Sequence, residues 1–113
     1  MNIEVKIIDY LRSKMENDRV YPEVPDSPSG EFFVVDKTGS TKENQMMTST
    51  IAIQSYARSK HRASELNEEV KNAMEELVQE TGIGACHLLS DYNFTNTATK
   101  YRRYQAVFLV THY

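Results

Sequence analysis

Apolar residues recur with a helical period at the start of the chain, and this spacing predicts a first helix. Residues 3–16 carry hydrophobic side chains at Ile7, Ile8, Leu11 and Met15, with charged residues between them. Such steps place the apolar groups along one stripe of a helix, where they can pack against a sheet.

A second and longer helix is predicted from Ser59 onward. Ser59 is a residue type that caps helix N-termini, and Gly82 with Gly84 provides a left-handed stop. Six glutamates lie away from the apolar stripe and predict a solvated outer face. The apolar stripe of this helix consists of Ala63, Leu66, Val70, Ala73 and Leu77.

The segment between the helices predicts a hairpin. Residues 31–36, EFFVVD, form a short β-branched and aromatic run that is typical of a buried strand. From Met46, MMTSTIAIQSYA alternates between apolar and polar residues, as a half-buried strand does. The connection, residues 37–45, is polar and longer than a tight turn, so we expect a projecting loop.

Prolines restrict the segment before this hairpin. Pro22, Pro25 and Pro28 lie three residues apart and lack ladder donors, so at most a short edge strand around Val20 and Tyr21 is expected. ACHLLSDYNF and KYRRYQAVFLVTHY predict a second hairpin around the polar turn TNTATK. The order α-β-β-β-α-β-β predicts one α+β domain over residues 1–113. Its sheet is mixed, mainly antiparallel and four- to five-stranded, with two helices on one face.

The final strand is apolar on both faces. Alternation places Tyr104 and Phe108 on one face, and Val107, Leu109 and Tyr113 on the other. Two helices cover one face, and an exposed apolar patch marks a protein interface more often than a pocket. The alternative is a core strand covered by loops of its own chain. The predicted subunit-interface residues are Phe33, Val35, Tyr104, Val107, Phe108, Leu109 and Tyr113.

Composition narrows the function further. A net charge of −3 disfavours broad binding to nucleic acid or anionic membranes. No apolar run is long enough to cross a bilayer, and the N-terminal sequence does not resemble a signal peptide. A single cysteine, Cys86, fits a reducing compartment. We therefore expect a protein assembled in the cytoplasm, without a membrane partner.

No motif for catalysis or metal binding stands out. The three histidines, His61, His87 and His112, are widely spaced and show no metal-ligand pattern. Cys86 and His87 are neighbours on a strand, so their side chains point to opposite faces and cannot form a catalytic pair. The sequence predicts a protein that is not an enzyme and uses no cofactor or metal.

Two basic clusters leave a second hypothesis open, a small α+β nucleic-acid-binding module. Arginines interleaved with Tyr101 and Tyr104 on a sheet can hold single-stranded nucleic acid. The glycine-containing aromatic strand motif of the common RNA-recognition module is missing, however. The clusters comprise Arg58, Lys60, His61 and Arg62, and then Lys100, Arg102 and Arg103.

Several segments together resemble a known family. They are LRSKM, YPEVP, FFVVDKTGS, STIAIQSYARSKHRASELNEEVKNAMEEL and SDYNFTNTATKYRRYQAVFLVTHY. The chain is similar over nearly its whole length to tail-terminator proteins of long-tailed bacteriophages, and to related head–tail completion proteins.

The resemblance implies a virion protein that assembles into a hexameric ring. Such a ring caps the tail tube, stops its growth and joins the head connector, while DNA passes through as cargo. It also implies that a neighbouring subunit covers the bare sheet face, and that no cofactor is needed. The loop residues expected to contact the tube or connector are Lys37, Ser40, Lys42 and Glu43.

Overall fold

Two helices lie against one face of a five-stranded sheet, in the element order that the sequence predicts. The computed structural model describes residues 2–27, 29–95 and 101–113. The helices are α1 (Ile3–Lys14) and α2 (Lys60–Glu75), and a short 3-10 turn follows α2 at Leu77–Gln79. The strands are β1 (Val20–Tyr21), β2 (Phe32–Glu43), β3 (Met46–Ala57), β4 (Ile83–Asn93) and β5 (Arg102–His112).

The sheet has the strand order β1-β2-β3-β5-β4. The short β1 pairs with β2 in parallel, and the other three pairings are antiparallel. The predicted mixed, mainly antiparallel α+β fold is therefore confirmed. The last strand in sequence, β5, is inserted between β3 and β4, which leaves β4 at one edge of the sheet.

One main core fills the space between the helices and the sheet. Each helix contributes its apolar stripe, and the sheet contributes alternate residues of β2, β3 and β5. Side chains fully enclosed there include Ile7, Leu11, Val35, Ile51, Ile53, Val70, Met74 and Val110.

Polar contacts fix the ends and relative position of the helices. The Ser59 side chain accepts a hydrogen bond from the Arg62 amide at 3.1 Å, which confirms the predicted N-cap of α2. The Tyr10 hydroxyl on α1 donates to the Ala73 carbonyl on α2 at 2.6 Å. Gly82 adopts a φ of 88° after the 3-10 turn, as expected for a left-handed stop.

The prediction of a projecting loop at residues 37–45 is wrong. Strand β2 continues to Glu43, and the connection to β3 is the two-residue turn Asn44–Gln45, with φ values of 51° and 70°. Positive φ at both positions is the geometry of a turn that matches strand twist. The polar run from Asp36 is exposed on both faces, so it carries no alternation that would indicate a strand.

Lys37, Ser40, Lys42 and Glu43 consequently lie on a strand rather than on a loop, and all four are exposed. In the second hairpin, residues 96–100 of the predicted turn lie outside the described residues.

Candidate subunit interface

The face of the sheet opposite the helices is organised in rows that run across the strands. The pairing registers place Phe32 and Tyr56 at one end of this face and Thr41 and Thr48 at the other. We call it the uncovered face, and it is formed by residues such as Phe32, Val34, Ala52, Gln54, Tyr56, Gln105, Val107 and Leu109.

An aromatic cluster closes one end of the uncovered face. The rings of Phe32 and Tyr56 stack with centroids 4.5 Å apart, and Tyr101 meets Phe32 edge-on at 5.6 Å. Tyr21 packs against the same cluster. Phe32 is fully buried and Tyr56 is nearly so, although they lie on the side away from the helices. These rings form a small second core of their own.

Arg103 is held over this end by several contacts. Its guanidinium lies 4.2 Å from the Phe94 ring centroid and 5.7 Å from that of Tyr56. It also donates to the Phe94 carbonyl at 2.7 Å and to the Tyr56 hydroxyl at 3.1 Å. Arg103 is therefore committed to contacts within the chain.

A chain of hydrogen bonds follows the next row. The Tyr56 hydroxyl donates to Gln54 Oε1 at 2.9 Å, and Gln54 Nε2 donates to Gln105 Oε1 at 2.9 Å. Gln105 Nε2 in turn donates to the Tyr92 hydroxyl. The bonds link β3, β5 and β4, so they fix the amide side chains in one orientation.

The uncovered face has a small apolar centre bordered by the exposed Asp36 and His87, and its far end is polar, with Glu43 next to the hairpin turn. Val107 and Leu109 are half-buried, and Ala52 lies directly opposite Val107. An apolar centre with polar groups around it is the usual anatomy of a protein interface. Beyond it, three threonines lie opposite one another across β2, β3 and β5, namely Thr41, Thr48 and Thr111.

The structure corrects part of the predicted interface. Phe33, Val35 and Phe108 are at most 3% exposed and belong to the core beneath the helices. A neighbouring subunit cannot contact them without displacing a helix. Tyr104 is partly buried against the same core. The error arises because both faces of these strands are apolar, so the sequence does not reveal which face the helices cover.

Val107, Leu109 and Tyr113 do reach the surface. The first two lie in the middle of the uncovered face, and Tyr113 is 66% exposed at the end of β5. Their assignment to a subunit interface stays a prediction.

Strand β4 and the residue after it carry exposed apolar side chains that were not among the predicted interface residues. The signal was present as two consecutive leucines between His87 and the polar pair Ser90 and Asp91, but the sequence did not show that β4 is an edge strand. A register shift between Leu88 and Ser90 leaves Leu89 as the extra residue of a bulge. The exposed residues are Leu88 at 46%, Leu89 at 56%, Tyr92 at 41% and Phe94 at 39%.

The histidines and the cysteine do not come together. His61 is exposed and lies 3.7 Å from Glu65, and His87 is exposed on β4. His112 is buried and its Nε2 lies 2.8 Å from the Ser49 hydroxyl. Burial raises the pKa of the Cys86 thiol to about 11, which keeps it protonated at neutral pH.

The described residues contain no cluster of His, Cys, Asp or Glu that could hold a metal ion. Within the same part of the chain, no helix has the length and apolar character needed to span a bilayer.

The basic residues also separate. Arg62 forms a two-pronged contact with Glu31, at 2.5 and 3.1 Å, and Arg103 is engaged as described above. Arg58, Lys60 and Arg102 are exposed, and Lys100 lies outside the described residues. Because the nearby aromatic rings pack against one another, they present little flat surface to a stacking base.

The fold and the uncovered face define a small α+β domain with an open sheet, and this fold also occurs among solved structures. No family model matches the chain, and no curated protein is significantly similar to it. The chain is similar to one in a structure described as "Virion of native gene transfer agent (GTA) particle". The TM-score is 0.63 at 18% sequence identity, over 90% of this chain and 83% of the other. At this identity the likeness shows a shared fold.

Proposed function

We propose that the protein is a structural component of a phage-like virion, and specifically a tail terminator. In this role its copies form a ring, with six as the expected number, that caps the tail tube and joins the head connector. The observation that carries the proposal is the fold shared with a chain of the GTA virion. The uncovered face, with its apolar centre, supplies a surface for association.

The mechanism of such a protein is geometric. A closed ring uses two different patches on each subunit, so every association site within the ring is filled. The remaining surface mates with the last layer of the tube and offers no template for another layer. DNA passes through the ring as cargo, and the net charge of −3 disfavours its retention.

Light scattering coupled to size-exclusion chromatography tests assembly, and negative-stain electron microscopy tests ring closure. We expect the wild-type protein to form a closed oligomer whose population rises with concentration. The variant Leu109→Asp places a charge in the middle of the uncovered face and should stay folded but monomeric, because a charge without a partner is costly to bury at an interface.

Two further variants sharpen this test. Asn72→Asp adds the same charge on the exposed surface of α2 and should assemble normally. Phe108→Asp places the charge in the core and should unfold the subunit, as circular dichroism would show. A wild-type protein that stays monomeric at every concentration would contradict the proposed ring. A Leu109→Asp variant that still forms rings would show that the ring contact does not use the uncovered face.

A further inference from the structure

Among the described residues, no strand pairs with the outer edge of β4 or with most of the outer edge of β2, although the Lys37 amide donates to the Glu4 carboxylate at 3.1 Å. On one side, β1 pairs with β2 only at Phe33 and Val34, so the outer edge of β2 carries no strand toward Glu43. On the other side, β4 pairs with β5 alone. Unpaired backbone groups along an edge strand are a template for another strand.

The topology determines how two copies can use these edges. Because β2 and β4 lie on opposite sides of the sheet, contact between them joins two different patches, as a ring requires. Three antiparallel pairings separate β2 from β4, so the two strands run in opposite directions. Rotation about a ring axis preserves strand direction along that axis and preserves the face. The edge of β4 would therefore meet the next copy's β2 in an antiparallel pairing.

Bulges limit the length of this pairing. The register shifts between Lys37 and Gly39 in β2, and between Ile83 and Ala85 and again between Leu88 and Ser90 in β4. The regular runs between these shifts are Gly39–Glu43 and Ala85–Leu88. Bulges at edges are a common protection against indiscriminate pairing, so they favour one defined partner.

Side chains on the helix-covered side of the two edges complement each other. Lys37 and Lys42 are exposed and form no ion pair among the described residues. Glu75 lies on α2 beside β4. It is exposed and also forms no ion pair with any described residue. Glu75 and Leu88 line the same small pocket, of about 70 Å³. Lys71 lines it too, but its ammonium group is paired with Glu68 and Asp91.

The pairing registers place Leu88 and Lys37 at the same level of the sheet, because both are aligned with the pair Phe108–Ile51. The stem of the neighbour's lysine can then cover Leu88, while its ammonium group approaches Glu75.

We infer that subunits of the proposed ring, on which this inference rests, join through the free edges. Ala85–Leu88 of one copy pairs with Gly39–Glu43 of the next. The occupant of each edge is thus a second copy of this chain, and the sheet continues from subunit to subunit.

The single natural cysteine makes a direct test possible. Cys86 and Ser40 lie at the same level of the sheet, through their alignment with the pair Val110–Ser49. Directly opposite residues of neighbouring strands have the Cα separation that a disulfide needs. The variant Ser40→Cys should therefore give a ladder of covalent oligomers on non-reducing gels. Oxidation is catalysed by copper–phenanthroline and followed to its plateau, because the raised pKa of the Cys86 thiol slows disulfide formation. Lys42→Cys provides a second position in case the register is displaced by two residues.

Two controls separate this contact from others. The wild-type protein, with Cys86 alone, and the double variant Ser40→Cys/Cys86→Ala should each give no species larger than a covalent dimer. A ladder in the variants that carry both thiols, absent in the controls, supports edge pairing. If light scattering shows a closed oligomer but neither variant gives a ladder, edge pairing is refuted while the proposed ring stands. A ladder together with open filaments supports edge pairing and refutes the closed ring, and a monomeric protein without a ladder refutes both.

Charge reversal tests the same contact independently. Lys37→Glu and Glu75→Lys should each weaken association by roughly two- to fivefold, as for partly exposed ion pairs. The double reversal should restore association at least in part. If the losses of association affinity in the two single variants instead add in the double variant, Lys37 and Glu75 do not form a contact between subunits.

Discussion

The two faces of β5 should respond very differently to truncation of neighbouring side chains. Phe108 is 3% exposed and packs in the core under the helices, whereas Leu109 is half-buried on the uncovered face. Truncating a buried phenylalanine to alanine typically costs about 3–5 kcal/mol, through lost burial and the cavity left behind. We therefore expect Phe108→Ala to lower the free energy of unfolding by that amount.

For Leu109→Ala the expected loss within the subunit is smaller. A fully buried leucine loses about 2–5 kcal/mol on truncation, so a half-buried one should lose roughly 1–2 kcal/mol. Urea denaturation followed by circular dichroism measures both values, and the slope of the transition checks that the native state stays compact.

Protein concentration separates the two effects. Association of folded copies stabilises them by mass action, so any contribution of Leu109 to an interface grows with concentration. The loss caused by Phe108→Ala should change little over the same range. Equal losses for the two variants in dilute solution would refute the assignment of the faces. A Leu109→Ala loss that is independent of concentration would remove Leu109 from the interface.

Three smaller perturbations test individual contacts. Tyr10→Phe removes the hydrogen bond to Ala73 and should cost about 1 kcal/mol in thermal or urea unfolding. Burial, with help from nearby glutamates, raises the pKa of Tyr10 to about 12 from an ordinary value of 10.0. The stabilisation that Tyr10 gives the folded state should therefore be complete below pH 10.0 and be lost as the pH rises from there to about 12. The Tyr10→Phe variant should not show this pH-dependent loss of stability. Ser55→Ala should leave stability unchanged or raise it by up to about 1 kcal/mol, because the buried Ser55 hydroxyl has no hydrogen-bond partner among the described residues. A large loss would reveal a contact that these residues do not show. Gln45→Gly should raise the melting temperature, since relief of a non-glycine residue from a φ of 70° is worth about 1 kcal/mol. A lower melting temperature would show that the turn depends on the Gln45 side chain.

Much of the fold follows from periodicity, and the failures have identifiable physical causes. The stripes of α1 and α2 are clear because each helix is apolar on one side only. The extension of β2 through Lys37–Glu43 could not be predicted, because these residues are solvated on both faces. Their pairing depends on backbone hydrogen bonds to β3 rather than on burial. Nothing local in the sequence marks that arrangement.

The sequence identified only some residues of the candidate interface, because tertiary packing determines which side chains are exposed. Phe108 and Leu109 are adjacent, so either side chain could face the helices. Tertiary packing determines that Phe108 does so. The exposure of Leu88 depends on β5 lying between β3 and β4, which is a property of topology. Neither choice is encoded in the spacing of apolar residues along one strand.

The uncovered face changes from packed aromatic rings at one end to small polar side chains at the other, so its stiffness differs along its length. At one end, stacked rings and the bonds linking Tyr56, Gln54 and Gln105 leave few rotamers accessible. At the other end, Thr41 and Thr48 are small, and little besides their own strands restrains them. A body docking on this surface would find a fixed template beside the rings and a yielding margin toward the hairpin tip, so small differences in partner shape would be absorbed at the tip.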